Sequence, residues 1–155
     1  MENADEISWN EEIYDREIAQ KVAEAMARRW IQEGDDFRPF EIPANMIQGR
    51  RYIEIDAPGI DIAGFLCGRY NAVDCQTPEE YKAVKSEDEH DAVYYDKDKG
   101  IVKYYEREYG EEYTFRYGTK RIPKKELEFL ADTIADGIID NHIEFTVSKY
   151  KSDVL

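Results

Sequence analysis

Asp91-Ala-Val-Tyr-Tyr-Asp-Lys-Asp-Lys-Gly100-Ile-Val-Lys-Tyr-Tyr-Glu-Arg-Glu-Tyr-Gly110-Glu-Glu-Tyr-Thr-Phe-Arg-Tyr-Gly118 is the stretch that decides the fold. Three aromatic and β-branched runs, Ala92 to Asp96, Ile101 to Arg107 and Glu112 to Tyr117, are separated by two glycine-bearing turns. Such punctuation marks an antiparallel meander. Tyr113, Phe115 and Tyr117 alternate with Thr114 and Arg116, which puts one face toward a core and the other toward water. Seven of the chain's 12 tyrosines lie here. Tyr94 and Tyr95 are adjacent, as are Tyr104 and Tyr105, so each pair supplies both faces of the sheet. At least two of these tyrosines should be exposed, at positions that favour interfaces, unless helices cover both faces.

Helices to cover such a sheet flank it on both sides. Upstream, Ser8-Trp-Asn-Glu11 fits a capping box, and a helix is expected from about Trp9 to Gln32, ended by Gly34. Its apolar positions are Trp9, Ile13, Val22, Met26 and Trp30, and its i,i+4 pairs Glu12–Arg16, Glu17–Lys21 and Glu24–Arg28 compensate its own charge. Pro39 confines the run Phe37 to Ile42 to a sheet edge, and Arg51 to Asp56 alternates with Ile53 and Ile55 inward. Ile60 to Tyr70 reads equally as a short helix or a buried strand. Thr77-Pro78-Glu79-Glu80 starts a short helix ending near Lys85, and residues 86–91 are an acidic loop. Downstream, Pro123 opens a second long helix over 123–140 with an apolar stripe of Leu127, Leu130, Ala131, Ile134 and Ile138. Ile143 to Lys149 alternates as a last strand. The expected class is α+β: one antiparallel sheet of about five strands covered by two longer helices, in a single domain 1–155 with residues 1–7 frayed.

At 155 residues, 42% hydrophobic and 36% charged, the chain can bury a core without metals or disulfides. Cys67 and Cys75 are too few for a disulfide framework. An acidic N-terminus without an apolar run and the absence of any long apolar segment point to a soluble, cytoplasmic protein. The net charge of −14 is unevenly distributed: residues 113–125 hold five bases and no acid. The overall excess disfavours nucleic acid and anionic membrane as direct partners and favours a basic protein.

Signals for catalysis are sparse. Gly59, Gly64 and Gly68 match neither a Walker nor a dinucleotide pattern, and the cysteines lack CxxC spacing. Asp88, Glu89, His90 and Asp91 are metal-ligand types, but consecutive loop residues point in different directions, so a solvated acidic loop is the simpler reading. His142 suits a helix C-terminal cap. Cys67 would need a histidine brought beside it by the fold to act as a nucleophile. No cofactor, metal or catalytic residue is assigned.

The second long helix carries the sharper pattern. Glu128, Asp132, Asp136 and Asp140 recur every four residues, with Phe129 among them and no lysine or arginine between Glu126 and Ser148. Three like-charge i,i+4 pairs cost roughly 0.2–0.5 kcal/mol each, so replacing Asp132 and Asp136 with lysine is expected to stabilise the fold. The face is either solvated or kept anionic for a basic partner. A helical step of about 6 Å is sparser than the charge per roughly 3.4 Å of one DNA strand. Mimicry of nucleic acid would therefore need Glu87, Asp88, Glu89 and Asp91, or acids of the first helix, beside it.

In composition the chain resembles small acidic α+β inhibitors of DNA-directed enzymes, including phage anti-restriction and anti-CRISPR proteins, and immunity proteins that neutralise toxins. That likeness implies a non-enzymatic inhibitor of a basic, nucleic-acid-handling partner. The alternatives are an immunity protein and a small enzyme or ligand-binding domain with a tyrosine-lined pocket.

Overall fold

The computed structural model describes residues 16–34, 40–42, 51–55, 61–140 and 147–151. In chain order these form α1 (Arg16–Glu33), β1 (Phe40–Ile42), β2 (Arg51–Ile55), α2 (Ile62–Tyr70), β3 (Val73–Cys75), α3 (Pro78–Glu87), β4 (Ala92–Asp96), β5 (Ile101–Glu106), β6 (Glu111–Arg116), α4 (Lys124–Ile139) and β7 (Val147–Lys151). The class is α+β. The expected single antiparallel sheet of about five strands is corrected to two sheets, one of four strands in the order β3-β4-β5-β6 and one of three in the order β1-β2-β7. Contacts divide the chain into two compact units, one of residues 30–35 and 59–126, the other of 1–29, 36–58 and 127–155.

The meander is the heart of the first unit. Tyr94 pairs with Lys103 and Lys103 with Thr114, in an antiparallel register that runs unbroken from Ala92↔Tyr105 to Ile101↔Arg116. The sheet is nevertheless mixed, because β3 lies parallel to β4 through Val73↔Ala92 and Cys75↔Tyr94. A parallel neighbour requires a crossover, and α3 supplies it. Three residues are too few for alternation to reveal a strand, so β3 has no signature in the sequence.

Local caps explain the helices. The Asp61 carboxylate accepts from Gly64 N at 2.7 Å and Asn71 closes α2 at φ 55°, which settles the Ile60–Tyr70 segment as helix. Thr77 Oγ1 accepts from Glu80 N at 3.0 Å and the Glu80 carboxylate accepts from Gln76 N at 2.8 Å, so α3 starts where expected. It runs two residues past Lys85 and ends at Asp88, φ 54°. α1 stops at Gly34, φ 60°, as expected, and its Ile31 carbonyl accepts from Gly118 N at 2.8 Å. Ser8, Trp9 to Asp15, Phe37 to Pro39, Pro58-Gly59, His142 and Ile143 to Thr146 lie outside the described residues.

Because strand side chains alternate, the sheet has two distinct faces. One presents Val93, Val102, Tyr104 and Phe115, all buried together with Ile62, Phe65 and Leu66 of α2 and with Trp30. The Trp30 and Phe65 rings stand 5.4 Å apart. The other face is partly covered by α3, where Cys75, Tyr81 and Ala92 form a small cluster with Val73, Val84, Tyr94 and Tyr105. Both faces thus have helical cover. Tyr104 is buried, Tyr94, Tyr95, Tyr105, Tyr113 and Tyr117 are half-buried, and Tyr109 in a turn is 69% exposed. The free edge of β6 is capped by side chains: Thr114 N donates to the Glu126 carboxylate at 3.0 Å and Lys125 Nζ donates to the Glu112 carbonyl at 2.9 Å. Such capping leaves fewer backbone groups for another strand to pair with.

In the second unit, α1 and α4 run antiparallel. Arg16 contacts Asp136 at 2.6 Å and Gln20 contacts Asp132 at 2.8 Å, one step forward on one helix matching one step back on the other. Ala19, Val22, Ala23, Met26 and Ala27 are buried on α1, and Leu127, Leu130, Ala131, Ile134 and Ala135 on α4. The apolar stripe expected on α4 is therefore its core face, with Ile138 half-buried. β1 pairs with β2 through Phe40↔Ile55, and β2 pairs with β7 through Ile55↔Val147, which places β1 at an edge as Pro39 implied. No helix among the described residues is long and apolar enough to cross a membrane.

Candidate functional site

On the α3-covered face of the four-stranded sheet the side chains fall into rows set by the register. Tyr105 and Glu112 make one row, Tyr94, Lys103 and Thr114 the next, and Asp96, Ile101 and Arg116 the third. α3 spans ten residues and covers only part of this surface. The remainder is a cavity of about 690 Å³ lined by Pro78, Tyr81, Lys82 and Lys85 of α3, by these second and third rows and Glu112, and by Lys99 of the β4–β5 turn. A volume of this size is typical of small-molecule sites.

Charge distinguishes the cavity from the rest of the chain. Lys82, Lys85, Lys99, Lys103 and Arg116 face Asp96 and Glu112, a local excess of +3 in a protein of net charge −14. Lys85 is directly ion-paired: its Nζ donates to the Glu112 carboxylate at 2.9 Å, beside the Tyr81 hydroxyl, which donates to the same oxygen at 2.7 Å. Lys85 also lies 5.3 Å above the Tyr81 ring and 5.5 Å above that of Tyr105. Among the described residues, Lys82, Lys99, Lys103 and Arg116 form no ion pair. Cations in excess of nearby carboxylates repel one another, and an anion between them relieves that repulsion.

Three groups that bound the cavity, Glu112, Tyr81 and Tyr94, are shifted away from neutrality. Desolvation pushes the Glu112 carboxyl up, but the hydrogen bonds from Tyr81 and Lys85 and the charges of Lys85 and Lys103 outweigh it and hold the group below its ordinary range. Burial, followed by the Glu112 hydrogen bond and charge, drives the Tyr81 phenol far above its ordinary value. Tyr94 is raised by desolvation and then by Asp96. At neutral pH Glu112 is a carboxylate, and Tyr81 and Tyr94 are phenols.

The acidic residues read from the sequence separate into two places. Glu87 ends α3, and Glu89 and His90 are exposed. Exposed Asp88 and half-buried Asp91 bond to the fold's own donors: Asp88 accepts from Tyr105 Oη at 3.0 Å and, through its carbonyl, from Arg107 Nε at 2.8 Å. Asp91 accepts a short hydrogen bond from buried Tyr104 Oη and another from Arg107 N at 2.9 Å. On α4, Glu128, Asp132 and Asp140 are exposed and Asp136 and Phe129 half-buried. The compensation missing from α4's own sequence comes from α1, through Arg16 to Asp136 and Gln20 to Asp132.

The cysteines are free, and their surroundings disfavour the thiolate. Burial, then Asp74, raises the Cys67 thiol, and burial with Glu80 and Asp74 pushes Cys75 up to about 11. No group of three histidine, cysteine, aspartate or glutamate side chains suited to a metal occurs among the described residues. What sequence reasoning missed is the cationic cavity. Its one local signal was the spacing of Lys82 and Lys85 on α3 and of Lys103 and Arg116 on same-facing strand positions, scattered through an acidic segment. No protein-family model matches the chain, and neither curated proteins nor solved structures provide a match.

Proposed function

We propose that this protein is a non-enzymatic binding protein whose basic, tyrosine-walled cavity receives a small anionic ligand. The observation that carries the reading is the cluster of Lys82, Lys99, Lys103 and Arg116, which line one cavity, form no direct ion pair among the described residues, and outnumber the two carboxylates there, Asp96 and Glu112. Binding rather than proton transfer is favoured because Glu112, Tyr81 and Tyr94 are shifted away from neutrality, whereas acid–base catalysis works best with a group poised near the working pH. The test is calorimetric titration of the full chain with inorganic pyrophosphate at low and at physiological salt. Binding is expected to weaken with salt and to be lost in Lys103→Glu and Arg116→Glu, with both variants still folded. Absence of binding to the wild type at low salt overturns the reading.

A second reading rests on the exposed acids of α4. Glu128, Asp132 and Asp140, with half-buried Asp136 and Phe129, form an anionic helix face suited to a basic, nucleic-acid-handling protein, as an inhibitor of the anti-restriction or anti-CRISPR type would require. A salt-dependent association rate with such a partner that falls in Glu128→Lys supports it, and equal rates and salt slopes remove it.

A further inference from the structure

Resting on the anionic-ligand reading, we infer that the ligand is a nucleoside di- or triphosphate, its base against Tyr94 and its phosphates among Lys99, Lys103 and Arg116. The cavity wall has two chemically different parts. Pro78, Tyr81 and Tyr94 make an aromatic and apolar corner, with the two tyrosine rings 6.5 Å apart and tilted by 40°. Tyr81 is buried and its hydroxyl is committed to Glu112, whereas Tyr94 is half-buried and lines the open space. A planar base stacks on such a ring irrespective of its hydrogen-bonding edge.

The cationic part adjoins this corner directly. Lys103 is the cross-strand neighbour of Tyr94, and Arg116 sits on the next strand one row further along, about 8 Å from Lys103 and about 12 Å from Tyr94 by strand geometry. Lys99 reaches in from the turn, where its own N–H donates to Asp96 at 3.2 Å and fixes the loop. Arg116 offers a planar fork suited to phosphate oxygens, and the lysines act as point charges. The excess of +3 suits a ligand with about three or four negative charges, the state of a nucleoside di- or triphosphate at neutral pH. At the opposite end, Tyr81 Oη and Lys85 Nζ both bond to Glu112 and tie α3 to β6. That junction closes the cavity on one side and favours a compact ligand over a polymer running through.

The experiment titrates the full chain with adenosine, guanosine and uridine diphosphates, with pyrophosphate, with adenosine, and with a short single-stranded oligonucleotide. At least one nucleoside diphosphate is expected to bind roughly tenfold tighter than pyrophosphate, the increment of one stacked base. Tyr94→Ala and Tyr94→Leu should bring that affinity down to the pyrophosphate level without changing pyrophosphate binding, which also shows that both variants fold. Arg116→Glu should weaken both. If pyrophosphate binds and no nucleoside diphosphate exceeds it, the base site is wrong while the anion site stands. If no anion binds, the underlying reading fails as well. Tighter binding of the oligonucleotide than of every nucleoside diphosphate overturns the small-ligand assignment.

Discussion

Glu112→Gln separates the two roles that the Glu112 carboxylate performs. The substitution removes one negative charge but leaves an amide oxygen where Tyr81 Oη and Lys85 Nζ donate at 2.7 and 2.9 Å. The side chains of the Lys85–Glu112 pair are 32% and 37% exposed, so solvent screens it and its loss costs about 0.2–1 kcal/mol. Loss of the charge assistance in the Tyr81 bond costs about 1 kcal/mol more. For a chain of this length the sum corresponds to a fall in Tm of roughly 2–8 °C. Ligand affinity should move the other way, because Lys85 loses its counter-charge and the cavity excess rises by one from +3. At about 6 Å and an effective dielectric constant near 60, one extra charge attracts each ligand charge by about 1 kcal/mol. Counting the nearest ligand charge alone, pyrophosphate affinity should then rise roughly fivefold or more. Thermal unfolding and calorimetric titration at one ionic strength read both effects. A lower Tm with unchanged or weaker binding would refute the idea that Glu112 neutralises the cavity. An unchanged Tm would show that the junction between α3 and β6 adds nothing to stability.

Three further outcomes are expected. Gly34→Ala should cost about 2–4 kcal/mol in chemical denaturation, because φ is +60° and a Cβ would stand 2.9 Å from Tyr117 Cγ. The Tyr117 ring has little room to yield, since its hydroxyl accepts from Ile62 N at 3.1 Å and its ring packs T-shaped with that of Tyr95, centroids 5.7 Å apart; a change below 0.5 kcal/mol (roughly the scatter of neutral surface substitutions) would contradict this packing. Asp136→Lys should give no net stabilisation, because the lysine faces Arg16 in place of the 2.6 Å ion pair, but should stabilise by about 0.5 kcal/mol in an Arg16→Ala background; equal effects in the two backgrounds would remove the interhelical pair from the account. The stability difference between wild type and Glu112→Gln should shrink as pH falls. A carboxyl whose folded pKa is lowered contributes fully above its unfolded value, about 4.3, and loses that contribution as pH drops through its folded value. Glu106, raised by burial and by Asp91, Glu108 and Glu111, is common to both proteins and cancels in the comparison.

The sequence by itself determined the α+β class, the meander with its turns, the capped start of α3, the end of α1 at Gly34 and the core stripe of α4. These are properties of neighbours in the chain: period-2 and period-3.6 alternation, glycine at positive φ, and side-chain caps within one helical turn. Tertiary structure alone decided the rest. It placed three-residue β3 parallel to β4, split the strands into two sheets, and brought Arg16 and Gln20 of α1 to the acids of α4. It also turned Asp88 and Asp91 from a free anionic loop into acceptors for Tyr105, Arg107 and Tyr104. Above all it gathered Lys82, Lys99, Lys103 and Arg116 around one cavity of an otherwise acidic protein. Net charge sums over the whole surface, whereas a ligand responds to the charges within about one Debye length, roughly 8–10 Å. Which charges share that distance depends on strand register and helix crossover, and no count along the chain contains it.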